Sequence, residues 1–323
     1  MQVLENKNFK TEFQDKCPIC DSERSNHSSF ARSKDVLLHS DSTIFEYFKC
    51  SSCNTVYLWN RPTATTVKFF YGETYTPYGT VLRYPYLFKK LRKLAMRIAN
   101  QITGLNGVLK EIDLLHRDAL SSSGVFLDFG CGAGNLLDNY RMRYGCKTIG
   151  MDFNAEMLKR VSLRGHATLP ADAWGWSSIP DYSVDLVVMN HVIEHLYQPR
   201  GVLCQIHRVL KPNGILDLAT PNPAGVSARR FKNAWFALDA PRHVALYEPS
   251  LVISLLEQCG FKSIRVFPKP ITKDYLRSQA RAEEAQYNLP VEQNGFAALK
   301  VSKMIRDTSL SGHFDQYHII ARR

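Results

Sequence analysis

The segment VFLDFGCGAGNLL, Val125 to Leu137, decides how the rest of the chain is read. A strand-like apolar run meets Asp128. Gly130, Gly132 and Gly134 then alternate with Cys131 and Ala133, and apolar residues resume at helical spacing. Glycines at a strand end permit positive φ and let a ligand lie against the backbone. The spacing is GxGxG, not the GxGxxG of a dinucleotide-binding turn, so a pyrophosphate is not the expected occupant. In an open α/β sheet the ligand sits beyond the carboxyl ends of the strands, which places it near Asp128 and this turn.

Downstream, strands and helices alternate. KTIGMDF, residues 167–169, VDLVVMN, GILDLAT, KSIRVF and FDQYHIIAR follow VFLDF as strands. Helices are expected over 133–143, 154–164, 199–210 and 249–259, with a helix-rich stretch over 271–306. This alternation predicts the α/β class, with a doubly wound, mostly parallel, seven-stranded sheet. Asp152 closes the second strand about 20 residues past the turn, where an acid accepts ribose hydroxyls. Asp172, in LPADAWGW after the third strand, can accept from the exocyclic amine of adenine.

The 323 residues, 45% apolar and 22% charged, are ordinary for a globular protein. No run of about 18 apolar residues and no apolar signal core occurs, so a cytoplasmic location is expected. The formal charge of +11 favours acidic partners: nucleic acid, phosphorylated small molecules or an anionic membrane surface. Four of the eight cysteines form two CxxC pairs, Cys17/Cys20 and Cys50/Cys53; Cys131, Cys146, Cys204 and Cys259 are scattered through apolar segments. In a cytosolic chain such pairs suggest metal before disulfides. Two thiolate turns complete one tetrahedral zinc site. Four thiolates leave no open position, so the ion is structural. The 29 residues between the pairs require a β-hairpin extension, to which STIFEYFKC contributes a strand.

Residues 61–80 read as a connector. In YLFKKLRKLAMRIANQI, Leu87, Leu91, Leu94, Ala95 and Ile98 share one helical face and the basic residues take the other. Such a helix packs on a core, or alternatively sits on anionic lipid or a phosphorylated substrate. The expected plan is a zinc ribbon over 1–60, a connector with this basic helix over 61–118, and the α/β domain over 119–323.

The motifs LDFGCGAGN, the acid of GMDFN, the acid of PADAW, DLVVMNHVIEHL, and LKPNG before GILDLATPN occur in one order across residues 120–320. In this the chain resembles class I S-adenosylmethionine-dependent methyltransferases. The resemblance implies a Rossmann-like methyltransferase fold whose glycine turn, Gly134 included, cradles an amino-acid carboxylate and a sulfonium nucleoside. By position, Asp128, Gly130 and Gly132 line the methionine end, Asp152 holds the ribose, Asp172 and Ala173 meet adenine, and Asn190 and His191 lie under the sulfonium. FEYFKCSSCNTVYLWNRPTATTVKFFYGETYTPYG and WFALDAPRHVALYEPSLVISLLEQCGF resemble one bacterial methyltransferase group. Its members carry a zinc ribbon, a Tyr-rich connector and a substrate lid, and many belong to polysaccharide or modified-sugar pathways. This implies a hydroxyl of a sugar, nucleotide-sugar, glycan or glycolipid as acceptor, phosphorylated or lipid-linked, with peripheral contact at the inner membrane face. It places the lid at about 221–249 and a helical insert at about 271–306.

Methyl transfer is an in-line displacement in which the enzyme aligns the nucleophile and, where needed, removes its proton. His191, His195 and His243 are candidate bases. His191, Glu194 and His195 spell HxxEH, which mimics an inverted zinc-protease signature, but its place directly after a core strand argues against that. Ubiquinone-pathway O-methyltransferases hold a divalent metal in a related ExxEH patch; here His191 replaces the first acid. The plainer reading has Glu194 and His195 bracing the segment beside the cofactor. Arg229, Arg230, Lys232 and Arg242 suit a substrate phosphate or an ordinary solvated basic loop. Trp235 and Phe236 stack on a sugar or simply close the lid. Two other functions compete. An RNA methyltransferase would explain the ribbon and the charge, but the ribbon lacks an obvious base-stacking surface. A catalytically silent scaffold would leave the intact Asp152 and glycine turn unexplained.

Overall fold

The computed structural model describes residues 3–5, 9–35, 43–71, 98, 101–102, 104–120, 122–269, 272–284 and 297–323. Apart from residues 98, 101 and 102, the basic stretch 86–102 lies outside these, as does VLLHS.

Six short strands come first: β1 (Val3–Glu5), β2 (Lys10–Phe13), β3 (Ser28–Ser33), β4 (Phe45–Lys49), β5 (Val56–Leu58) and β6 (Asn60–Pro62). They divide between a sheet ordered β1-β2-β6 and a second containing β5-β4-β3. Then follow α1 (Leu105–Ala119), β7 (Val125–Phe129), α2 (Asn135–Tyr144), β8 (Lys147–Asp152), α3 (Ala155–Ser162), β9 (Ala167–Pro170), α4 (Ala173–Ser177), β10 (Val184–Asn190), α5 (Pro199–Val209) and β11 (Leu210–Pro221). The chain continues through α6 (Val226–Phe231), β12 (Ala245–Leu246), α7 (Pro249–Gln258), β13 (Lys262–Lys269), α8 (Thr272–Glu284), α9 (Ala297–Leu310) and β14 (Gln316–Arg322).

Seven strands form the expected sheet, ordered β13-β14-β11-β10-β7-β8-β9. Only β14 runs against its neighbours. Successive side chains alternate between two cores, as the strand period of two requires. Leu127, Val187, Met189 and Ile319 face α5 and α7, where Leu203, Ile206, Leu255 and Leu256 pack. Phe126, Leu186, Val188 and Ile320 face α1, α2 and α3 through Ile112, Leu137 and Val161. Burial on both faces explains why VDLVVMN is almost wholly apolar.

Helix starts follow local chemistry. Gly134 in the left-handed region delays α2 to Asn135. The Asn154 side chain accepts from Glu156 N and Met157 N and caps α3. Pro199 and Pro249 open α5 and α7, where a missing N–H costs nothing. Cys204 and Cys259 are joined as a disulfide between α5 and the end of α7, a pairing across 55 residues that the scattered positions did not suggest.

A third core joins the N-terminal strands to the segment after β11. Phe45, Tyr47, Leu58 and Phe70 pack there with Trp235, Leu238, Leu246 and Ile305. The join is also hydrogen-bonded: β12 adds to the N-terminal sheet, pairing Ala245 with Tyr57 and Leu246 with Val56. Among the described residues no helix is long and apolar enough to cross a membrane.

Candidate active site

The glycine turn is folded back on β8. Gly130 N and Cys131 N both donate to Met151 O, at 2.8 and 3.0 Å. Gly132 N donates to Asp152 Oδ2 at 2.8 Å, and Asn154 N to Asp152 Oδ1 at 2.9 Å. Gly130 has φ +81°, and a Cβ there would overlap the Val192 side chain. Gly134 has φ +70°, and its added Cβ would strike Arg164 and Val161. Asp128 is buried beneath the turn. Burial first, then the charge of Asp152, push it up to about 7. Burial also raises Asp152, against the opposing pull of its backbone N–H donors.

A cavity of about 450 Å³ opens over this turn. Gly130, Gly132, Asp152 and Ala171 form one side, and His191 and His195 another. Val67, Lys68 and Tyr71, from the connector, close the third. In the sequence these residues belong to the Tyr-rich connector, and nothing in it assigned them to the cavity. Tyr71 packs edge-on against Phe153 at 4.9 Å, and its hydroxyl lies 3.0 Å from His195 Nδ1.

Glu194, fully buried, is the hub of the HxxEH segment. Its Oε1 lies 3.2 Å from His191 Nδ1, and its Oε2 accepts from Thr220 Oγ1 at 2.9 Å. Burial alone would raise this carboxyl; the His191 hydrogen bond and the surrounding histidines bring it down to about 2. His195 Nδ1 donates to Arg242 O at 2.9 Å. Burial, and then the charge of His243, push His195 down to about 4, so it is neutral at neutral pH. His243 Nδ1 donates to Ala237 O at 2.7 Å, and its Nε2 lies 4.0 Å from Glu194 Oε1. His191 and His195 therefore meet at the cavity, while His243 sits behind them, 7% exposed.

Asp172 caps α4 through Gly175 N at 2.8 Å and is exposed with Ala173 near the cavity margin, where Ala171 forms the wall. Asn190 is exposed at the end of β10 but does not line this cavity. Two of the expected substrate contacts need correction. Arg242 is fully buried, held by Asp35 Oδ1 at 3.0 Å and Asp239 Oδ1 at 2.8 Å, and it also donates to Phe70 O at 3.0 Å. A guanidinium committed to two carboxylates inside the protein fastens the segment after β11 to the N-terminal strands; it does not face a substrate phosphate. Trp235 is 2% exposed and packs edge-on to Phe30 at 6.5 Å, so it is core and has no face for a sugar. Arg229 and Arg230 lie exposed on α6, with Arg230 over the rings of Phe231 and Tyr275, and neither lines the cavity. Phe236 lies under Arg277 and Arg281, each at 4.5 Å.

The four N-terminal cysteines do converge. Cys17 N donates to Ser22 O and Cys50 N to Thr55 O, each at 2.9 Å, so the two CxxC turns repeat one backbone pattern. The Sγ atoms of Cys17 and Cys53, and of Cys20 and Cys50, are 3.6 Å apart, and all four lie within 4.8 Å of one another. Four thiolates at about 2.3 Å from a tetrahedral zinc lie about 3.8 Å apart, so this donor set fits that ion.

A trans-aconitate 2-methyltransferase of Azoarcus sp. (strain BH72) is 33% identical over 112 residues, 34% of this chain and 44% of that protein. The thiol S-methyltransferase TMT1B of Rattus norvegicus is 28% identical over 152 residues, 45% of this chain and 57% of its own length. The chain thus spans about half the length of these relatives. The crystal structure of a SAM dependent methyltransferase from Archaeoglobus fulgidus aligns at 20% identity and a TM-score of 0.46, over 74% of this chain and 100% of that one. Residues 105–266, from α1 into β13, match the profile of a family described as "Methyltransferase domain", and the chain belongs to that family.

Proposed function

We propose that the protein transfers a methyl group from S-adenosylmethionine to a hydroxyl of a small polar acceptor, a sugar or nucleotide-linked sugar, in the cavity over the glycine turn. One observation carries this reading. His191 stands on the cavity wall with its Nδ1 3.2 Å from the buried Glu194, which leaves Nε2 for an acceptor. Asp152 takes the ribose hydroxyls, and Asp172, Ala173 and Ala171 flank the adenine. The sulfonium supplies an electrophilic methyl carbon. His191 Nε2 takes the hydroxyl proton as the oxygen attacks, and Glu194 holds the imidazole in the right tautomer and stabilises the imidazolium. His195 and His243, tied to backbone carbonyls, support the wall. Relatives named for trans-aconitate and thiol substrates support a small molecule. In the same reading Cys17, Cys20, Cys50 and Cys53 hold a structural zinc. The chain then divides into a ribbon to about residue 60, a connector to 118 and a transferase unit beyond.

The test is transfer of labelled methyl into fractionated bacterial extract and defined nucleotide sugars. Label in the sugar fraction, lost by about 10²-fold or more in His191→Ala with S-adenosylhomocysteine affinity retained, is the expected result. Label in ribonuclease-sensitive material, or an unimpaired His191→Ala enzyme, overturns the reading.

A further inference from the structure

The two CxxC turns share a second repeat that tetrahedral ligation alone does not require. Two residues past the second cysteine of each pair stands a hydroxyl: Ser22 after Cys20, and Thr55 after Cys53. The residue between is left-handed in both turns, Asp21 at φ +58° and Asn54 at φ +60°. Asp21 N donates to Cys17 O and Asn54 N to Cys50 O, each at 3.0 Å. This backbone turns each hydroxyl back onto sulfur. Thr55 Oγ1 lies 3.0 Å from Cys53 Sγ. Ser22 Oγ lies 3.1 Å from Cys50 Sγ and 3.2 Å from Cys20 Sγ, so it bridges the two pairs.

The direction of each hydrogen bond follows once the cysteines are thiolates. A metal-bound thiolate carries no proton and can only accept, so Ser22 and Thr55 donate. Ser22 Oγ keeps its lone pairs for His27 Nε2, 3.0 Å away, and that nitrogen donates to it. In the neutral imidazole Nδ1 is then the acceptor, and the Tyr57 hydroxyl, 2.8 Å away, donates to it. A one-way chain of donors thus runs from Tyr57 through His27 and Ser22 to the sulfur atoms. Tyr57 is closed to solvent and fixed on β5, where it pairs with Ala245 of β12.

We propose that Ser22 and Thr55 are positioning residues of the metal centre. Their hydroxyls hold the thiolates of Cys20, Cys50 and Cys53, and the Tyr57–His27 pair aims the Ser22 hydroxyl. The proposal rests on the zinc reading of the four cysteines. A divalent ion leaves four thiolates with excess negative charge. Hydrogen bonds to sulfur disperse that charge, which makes the thiolates poorer targets for protons and slows loss of the ion.

The test uses the full chain loaded with zinc or with cobalt(II). Zinc release to excess EDTA gives a rate, and the thiolate-to-cobalt charge-transfer band reports electron density on sulfur. Ser22→Ala and Thr55→Ala should each release zinc about tenfold faster and move the band to lower energy. Ser22→Thr, which keeps the hydroxyl, should keep the wild-type rate and band. Tyr57→Phe should move the band in the same direction by less; an unmoved band there strikes Tyr57 and His27 from the proposal. A tetrahedral cobalt spectrum in each variant shows that the site has formed. Hydroxyls that only brace the turns would change the release rate and leave the band in place, and that result overturns the proposal, as does an unchanged rate in Ser22→Ala. If the wild type takes up neither ion, the zinc reading itself fails; if it binds both and Ser22→Ala keeps the band, only the positioning roles fail.

Discussion

Arg242 donates to Asp35 at 3.0 Å across 207 residues of sequence, with both side chains closed to solvent. The contact places the loop that carries His243 and the N-terminal strands in one electrostatic unit. Tyr47 reinforces it: its hydroxyl lies 2.8 Å from Leu238 O and 3.0 Å from His243 O.

Removing the cation should therefore act on stability before it acts on substrate. Arg242→Ala leaves the buried Asp35 and Asp239 without their shared guanidinium, at a cost of about 3–5 kcal/mol. Urea unfolding reads this as a lower midpoint. A variant with wild-type stability and a raised acceptor KM would instead return Arg242 to the substrate.

Asp152 closes the turn by accepting from Gly132 N, and the proposed function gives it the ribose hydroxyls. Asp152→Ala should weaken S-adenosylhomocysteine by about tenfold or more in a calorimetric titration, because hydrogen bonds to a charged group are lost. Unchanged affinity would remove Asp152 from the cofactor site.

Gly130→Ala meets two penalties: φ of +81° and the Val192 side chain. A non-glycine residue in that region costs on the order of 1–3 kcal/mol. The variant should lose thermal stability and cofactor affinity together, while Gly107→Ala, with open space at its Cβ, should lose neither.

The histidine network sets a pH response. His195 falls from its ordinary 6.5 to about 4 in the folded protein, so the unfolded chain takes up a proton that the folded one refuses. Stability should decline as pH falls from about 6.5 to 4, by on the order of 2–3 kcal/mol. Glu194, lowered to about 2, extends the loss below its ordinary 4.5. Asp128 acts in the other direction: raised to about 7, it favours the folded state at low pH and loses that contribution as pH rises toward 7. Unfolding free energies of wild type and His195→Gln at several pH values separate the two; identical slopes would exclude His195 as the cause.

Bound zinc should be measurable as one ion per chain. Cys17→Ser should release it and lower the thermal midpoint, because the ligands anchor the strands that receive β12. Stoichiometric absence of zinc in the purified protein would end the structural-zinc reading.

The sheet was legible because its signals are local. Apolar strands, the Gly130–Gly134 turn and the strand-end acids at 128 and 152 each depend on neighbours within a few residues. The start of α2 moved by two residues only because Gly134 takes a left-handed conformation before it. Trp235 and Arg242 depart from the sequence expectation for a different reason. In sequence they lie in a basic, aromatic loop; their burial depends on Phe30 and Asp35, which no spacing rule connects to them. Tyr71 and Lys68 reached the cavity for the same non-local reason.

The strand that β12 lends to the N-terminal sheet has a consequence for synthesis. Tyr47 leaves the ribosome 191 residues before Leu238, its hydrogen-bond partner. At about 5–20 residues per second that interval is on the order of 10–40 s. For that time the edge of β5 and the apolar faces of Phe45, Tyr47 and Leu58 await segments not yet made. The six amino-terminal strands must be shielded as a nascent chain, and their core becomes complete only when translation has passed the segment after β11.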